Sequence, residues 1–149
     1  MSRMTAVYRA PMRSRRDDID PQGSLDRALA LGVVGFGDAG FGERLARRVD
    51  RFADVEDGSF VWTRDADGLF WLGRIDGPYR RDDTDEASAV DLVHVRPCRW
   101  LSEPVLEPDV PAAVLATYAR GGRNFQQTHD PDVGPQSERI WDTRRDQDS

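Results

Sequence analysis

The chain has 149 residues and a formal charge of −6 at pH 7, a length that argues for a single domain. Hydrophobic residues make up 38% and charged residues 32%, enough apolar material for one modest core. No stretch approaches the roughly 18 consecutive apolar residues of a membrane-spanning helix, and the basic segment Met1–Arg16 has no apolar centre, so neither membrane spanning nor Sec-type export is expected.

A lone cysteine, Cys98, cannot close an internal disulfide and fits a reducing cytoplasm. All 21 basic residues are arginine, whose planar fork grips phosphates bidentately and stacks on aromatic rings. Net acidity argues against a sequence-blind nucleic-acid coat protein, because that task rests on neutralising phosphates. It leaves room for a local basic patch. Arg3, Arg9, Arg13, Arg15 and Arg16 crowd the first residues, and Asp82–Asp91 reads as an acidic loop.

A short strand over Ala6–Ala10 opens the predicted order, limited by Pro11. Ser24 reads as the N-cap of a helix Leu25–Leu31 that Gly32 closes. Val33–Gly37 follows as a buried strand, with Gly35, Gly37 and Gly40 allowing a bend or a close approach. Over Glu43–Phe52 the pattern becomes helical. Phe41, Leu45, Val49 and Phe52 form one stripe, and Arg44, Arg47, Arg48 and Arg51 form a face that is either solvated or in contact with phosphates.

Two β-rich runs, Ser59–Arg64 and Leu69–Asp76, are joined by the hairpin turn Asp65-Ala66-Asp67-Gly68. Alternation places Phe60 and Trp62 on one face of the first strand; in the second, Leu69, Trp71, Gly73 and Ile75 oppose Phe70, Leu72 and Arg74. Leu92–Trp100 is the next strand, where Pro97 demands an edge or a bulge. Asp109 reads as the cap of a helix whose apolar side holds Val114, Leu115 and Tyr118, with Pro111 in its first turn and Gly121-Gly122 at its end. Asn124–His129 reads as a closing strand and Thr143–Ser149 as a frayed end. The expected class is α+β, a small curled and mainly antiparallel barrel flanked by short helices. The domain is expected over residues 5–129, with 1–4 and 130–149 as flexible or loosely packed termini.

No metal site or cofactor is expected, because His94 and His129 lack ligand-like neighbours and no dinucleotide or phosphate-loop motif occurs. His94 and Cys98 share a strand face but lie roughly 13 Å apart along it, too far for a nucleophile and its base. No credible acid/base pair points to an enzyme. What remains is aromatic. Trp62, Trp71, Tyr79 and Trp100 lie on or beside the central strands, with Phe36 near the glycine bend. Such rings either fill a core or form a hollow on which an unpaired base stacks, at about 1–3 kcal/mol per base. In the second case Arg74, Arg80, Arg96 and Arg123 are the arginines placed to hold phosphates, Arg123 from a turn that otherwise simply closes a helix.

The runs Ala28–Gly40 (ALALGVVGFGDAG), Gly58–Tyr79 (GSFVWTRDADGLFWLGRIDGPY) and His94–Leu101 (HVRPCRWL) resemble, in order, a bacterial pattern found in the N-terminal domains of Mrr-like restriction proteins. That pattern is similar to EVE-type domains of the PUA-like superfamily, relatives of the YTH readers. The resemblance implies a small barrel that recognises a modified base in DNA or RNA through an aromatic pocket, often in antiphage defence. Phe36 and the Gly37–Gly42 loop would border the pocket, with Trp62, Tyr79 and Trp100 near it. Asp38 stands where the pattern has tryptophan, and would read a base amino group as a hydrogen-bond acceptor. The residues after His129 are too few for a nuclease, so cleavage is expected from a separate effector protein. A protein–protein adaptor on the same barrel is the alternative, and the net acidity favours it.

Overall fold

The computed structural model describes residues 5–38, 42–121 and 124–148. Among them the chain forms β1 (Val7–Arg9), α1 (Pro21–Leu31), β2 (Val33–Phe36), α2 (Leu45–Asp54), β3 (Phe60–Arg64), β4 (Phe70–Ile75) and β5 (Arg80–Arg81). Then come α3 (Asp85–Ala89), β6 (His94–Trp100), α4 (Ala112–Ala119), β7 (Gln126–Gln127) and α5 (Val133–Asp148). The strands make one mixed sheet in the order β2-β6-β4-β3-β1-β7, with β5 also on β6. Among the described residues only β1 and β3 run parallel, and the other strand pairs are antiparallel. The architecture is the expected α+β class, a curled half-barrel with short helices around it.

The hairpin forms at the expected place because Asp65 closes it: its Oδ1 accepts from the amides of Asp67 and Leu69, both at 2.9 Å. Strand β6 is long enough to serve several partners. Val33–Phe36 pair with its first residues and Gly73–Ile75 with its last. Pro97 sits where its neighbour changes from β5 to β4, with its ring against Gly77, so the missing N–H falls in a gap in the ladder. Gly35 is needed for β2 to approach at all. A Cβ there would lie 1.8 Å from the carbonyl oxygen of His94.

The sheet separates two cores. On one face Leu25 and Ala28 of α1 and Phe52 of α2 pack against Val34, Val61, Ile75, Val95 and Cys98. On the other, Val114 of α4 and Val133 and Trp141 of α5 pack against Val7, Phe60, Trp62, Phe70 and Leu72. The register carries this division, since Trp62 lies opposite Leu72 and Val61 opposite Gly73.

Three helix boundaries differ from expectation. Helix α1 starts at Pro21, with Asp20 as its N-cap accepting from the Gln22 amide at 3.0 Å. Asp followed by Pro is a stronger start than Ser24, which is buried and donates to the Val90 carbonyl at 2.7 Å. Helix α2 follows a 3₁₀ turn at Gly42–Arg44, and of its residues only Phe52 is fully buried. Asp109 does not cap α4: Glu107–Asp109 is a 3₁₀ turn and Pro111 is the N-cap. The largest difference lies at the C-terminal end. Instead of loose chain, Val133–Asp148 is helical, its start capped by Asp130, whose Oδ1 accepts from the amides of Asp132 and Val133 at 2.8 and 3.1 Å. Val133, Ser137 and Trp141, one helical stripe, are each 2% exposed or less. Val133, Ile140 and Trp141 are the large apolar residues of a mostly polar segment and leave little periodic signal.

Candidate binding cleft

The tryptophans do not gather around a hollow. Trp62 is fully buried in the second core, and its indole N–H donates to Ser137 Oγ at 3.0 Å. Strand β3 is covered on both faces, which overturns its expected place at a pocket. Trp71 is half-buried at the hairpin end and donates to Asp65 Oδ2 at 3.0 Å. Trp100 lies over Gly73 and donates to the Val33 carbonyl at 3.0 Å.

The expected phosphate ligands divide in the same way. Arg96 is 3% exposed and holds backbone together: Nε donates to the Gly77 carbonyl at 2.9 Å and Nη1 to the carbonyls of Phe52 and Val55, while Nη2 meets Asp57 at 2.8 Å. That fork is closed to a ligand. Arg74 lies 4.4 Å over the Phe60 ring and donates to the Gly58 carbonyl. Arg80 is exposed, 4.0 Å from Asp82. Arg123 lies outside the described residues, as do Ala39, Gly40 and Phe41 of the expected pocket loop.

A different set of rings lines the main cleft, a hollow of about 480 Å³. Strand β1 supplies Tyr8, β2 supplies Phe36, and α2 supplies Phe52 with Arg48 and Arg51; the segment entering β7 supplies Asn124 and Phe125. Tyr8 and Phe125 stack with centroids 5.0 Å apart and planes 11° from parallel. Phe52 meets Phe125 edge-on at 5.0 Å and Phe36 edge-on at 5.1 Å. The rings thus hold one another in place: Phe52, 1% exposed, packs behind the partly exposed Tyr8, Phe36 and Phe125.

The rim is positive. Arg48 is half-buried, and burial, followed by the charges of Arg15, Arg51 and Arg44, draws its guanidinium below its ordinary range. Burial and Glu56 together push the Tyr8 phenol up, keeping it neutral and a hydrogen-bond donor. Among the described residues expected at a base pocket or a phosphate, Phe36 alone lines this cleft; Arg48 and Arg51 come from the arginine face of α2. The arginine face of α2 was visible as a pattern, and Phe52 as part of its apolar stripe. Tyr8 and Phe125 carried no local signal, because the pairing of β1 with β7 brings them together.

Behind Phe36 lies a polar chain containing Asp38 and Tyr79. His94, 4% exposed, tilts against Phe36 at 5.5 Å and stacks on Tyr79 at 5.9 Å. Its Nδ1 is 2.7 Å from the Tyr79 hydroxyl, and its Nε2 bonds to Asp38. Asp38 also accepts from Arg81 at 2.9 Å. The Arg81 bond holds the Asp38 carboxyl below the usual carboxylate range, burial opposes this, and His94 adds to it. With a neutral ring, Nε2–H donates to Asp38 and Nδ1 accepts from Tyr79. Both oxygens of Asp38 are therefore engaged within the protein, although the side chain is 42% exposed and, among the described residues, Oδ2 accepts only from Arg81.

Among the described residues no group of His, Cys, Asp or Glu is arranged to hold a metal ion. No described helix is long and apolar enough to cross a membrane. No family model and no curated protein matches the sequence. Solved structures do match. The chain superposes on the Pho92 YTH domain, solved in complex with m6A, with a TM-score of 0.56 at 13% identity, over 100% of this chain and 88% of that one. It superposes on the YTH domain of the Zygosaccharomyces rouxii MRB1 protein, in complex with N6-methyladenosine RNA, with a TM-score of 0.52 at 13% identity, over 95% and 87% of the two chains. The protein therefore shares the fold of these YTH domains, a curled sheet with short helices around it.

Proposed function

We propose that the protein is a binding module for single-stranded nucleic acid that holds one modified base in the cleft between Tyr8, Phe36 and Phe125. The observation that carries this reading is the cleft itself: about 480 Å³, bordered by the partly exposed rings of Tyr8, Phe36 and Phe125 and rimmed by Arg48 and Arg51. That volume falls within the range of small-ligand sites, roughly 300–1,000 Å³. The ring wall stacks a base whatever its identity, and the arginines attract the phosphates on either side of it. A methyl group on the base would be buried against phenyl rings, a gain of about 0.8 kcal/mol for a buried carbon. Gln127 and Asn124 bring side-chain amides to the same cleft, a donor–acceptor pair suited to the N6/N7 edge of adenine. Two domains of this fold were solved with N6-methyladenosine, which supports an adenine modified at N6 as the first ligand to test. The Mrr-like resemblance extends the proposal to defence, with cleavage carried out by a separate protein.

The test is fluorescence anisotropy with short RNA and DNA strands that carry one N6-methyladenine, against identical strands with plain adenine. A preference of tenfold or more for the methylated strand is expected. Equal affinity for the two would overturn the reading.

A further inference from the structure

We propose that the hollow between α4 and β7 is a second anion site, built around Arg9, that takes a backbone phosphate of the strand whose base enters the aromatic cleft. The identity of that strand rests on the function proposed above; the anion site rests on its own observations. Arg9 is 9% exposed, yet its three acceptors among the described residues are all neutral: the Asn124 carbonyl at 3.0 Å, Thr117 Oγ1 at 2.7 Å and Gln126 Oε1 at 2.7 Å. A buried guanidinium is ordinarily paired with a carboxylate or another anion, because removing its charge from water is costly. Burial draws the Arg9 pKa down, and the neighbouring charge of Arg120 acts in the same direction.

The guanidinium has five N–H groups, and these three bonds occupy three of them among the described residues. Arg9 borders a hollow of about 420 Å³, lined also by Arg120, Thr128 and His129. Asp130 lines it too, but its Oδ1 faces the amides at the start of α5. Two arginines, a hydroxyl and an imidazole around a space of this size suit a phosphodiester.

The register explains how one strand reaches both hollows. Tyr8 lies opposite Gln127 and Arg9 opposite Gln126, so the aromatic wall and the Arg9 fork occupy opposite faces of one sheet edge. Gln126, Gln127 and His129 border both hollows. Strand β7 is only two residues long, a low ridge between them. Arg9 also grips the residues on either side of Phe125, so the anion site and the stacking ring share a support.

The test uses the full chain, a short N6-methyladenosine RNA strand and a salt series between about 50 and 200 mM, with Arg120→Ala removing the exposed cation at the rim. Loss of one phosphate contact predicts several-fold weaker binding and a salt slope shallower by about 0.7. A slope identical to that of the unsubstituted protein would overturn the site. Arg9→Lys keeps the charge but not the fork, and should also weaken binding while thermal melting reports whether the fold survives; unweakened binding by a folded Arg9→Lys chain would count equally against the site. The methylated-to-plain ratio of the unsubstituted protein reports the base cleft separately. A ratio of one with an intact Arg120 effect on the slope removes the base reading and leaves the anion site standing.

Discussion

Phe125 lies flat against Tyr8, centroids 5.0 Å apart, although the two rings come from opposite ends of the chain. The contact exists because β7 closes the sheet onto β1, and it makes Phe125 the outer ring of the cleft wall. Phe125→Ala removes one stacking surface and leaves β1 in place. The expected outcome is a loss of about 2 kcal/mol in binding to the methylated strand, roughly thirtyfold in affinity. Anisotropy with circular-dichroism melts would check this, and unchanged affinity in a folded variant would remove the ring from the proposed site.

Trp62 gives the opposite expectation. Its indole is fully buried and donates to Ser137, so it ties β3 to α5 rather than facing a ligand. Trp62→Phe should lower the urea midpoint by about 1–2 kcal/mol of stability, through lost packing and an unsatisfied Ser137. The ratio of methylated to plain binding should persist in the folded variant. A selective loss of that ratio, without loss of stability, would return Trp62 to the ligand.

These two residues show what was legible in the sequence. The hairpin, the helix closed by Gly32 and the strand around Pro97 rest on local chemistry, and each forms close to its expected place. The class of site, an aromatic hollow with arginines, followed from composition and resemblance. Its members did not, because a tryptophan in a strand has the same period whether its face is sealed by a helix or open. Helix α5, which seals Trp62, is announced by only three large apolar residues, Val133, Ile140 and Trp141. The rings that do form the wall meet through pairing of the chain's two ends, a contact that no window of neighbouring residues contains.

Arg96 was expected at a phosphate and instead satisfies the carbonyls of Phe52, Val55 and Gly77. Arg96→Met leaves those buried acceptors without donors, at about 1–3 kcal/mol for an unsatisfied group. The expected loss of stability is about 3 kcal/mol, read as a lower urea midpoint. Arg96→Lys should recover less than half of it, because a single ammonium cannot span the positions the fork reaches. A midpoint near that of the unsubstituted chain for Arg96→Met would show that these bonds hold little.

Asp38 links the ring behind the cleft to Arg81, and its carboxyl is held below the usual carboxylate range chiefly by that arginine. A carboxyl with a lower pKa folded than unfolded stabilises the fold fully above the unfolded value, near 4. That stability is lost as pH falls through the folded value. The side chain is 42% exposed, so solvent screens the interaction and the effect is modest. Asp82, held low by Thr84 and Arg27, and Asp18, held low by Arg16, titrate in the same direction. Urea midpoints measured from neutral pH to about pH 2 should therefore fall for the unsubstituted chain. Asp38→Asn should begin lower at neutral pH, fall less steeply and meet the unsubstituted curve at the acid end. Two curves that stay parallel across the range would mean that the Arg81–Asp38–His94 chain contributes nothing that depends on charge, and that Phe36 is held by packing alone.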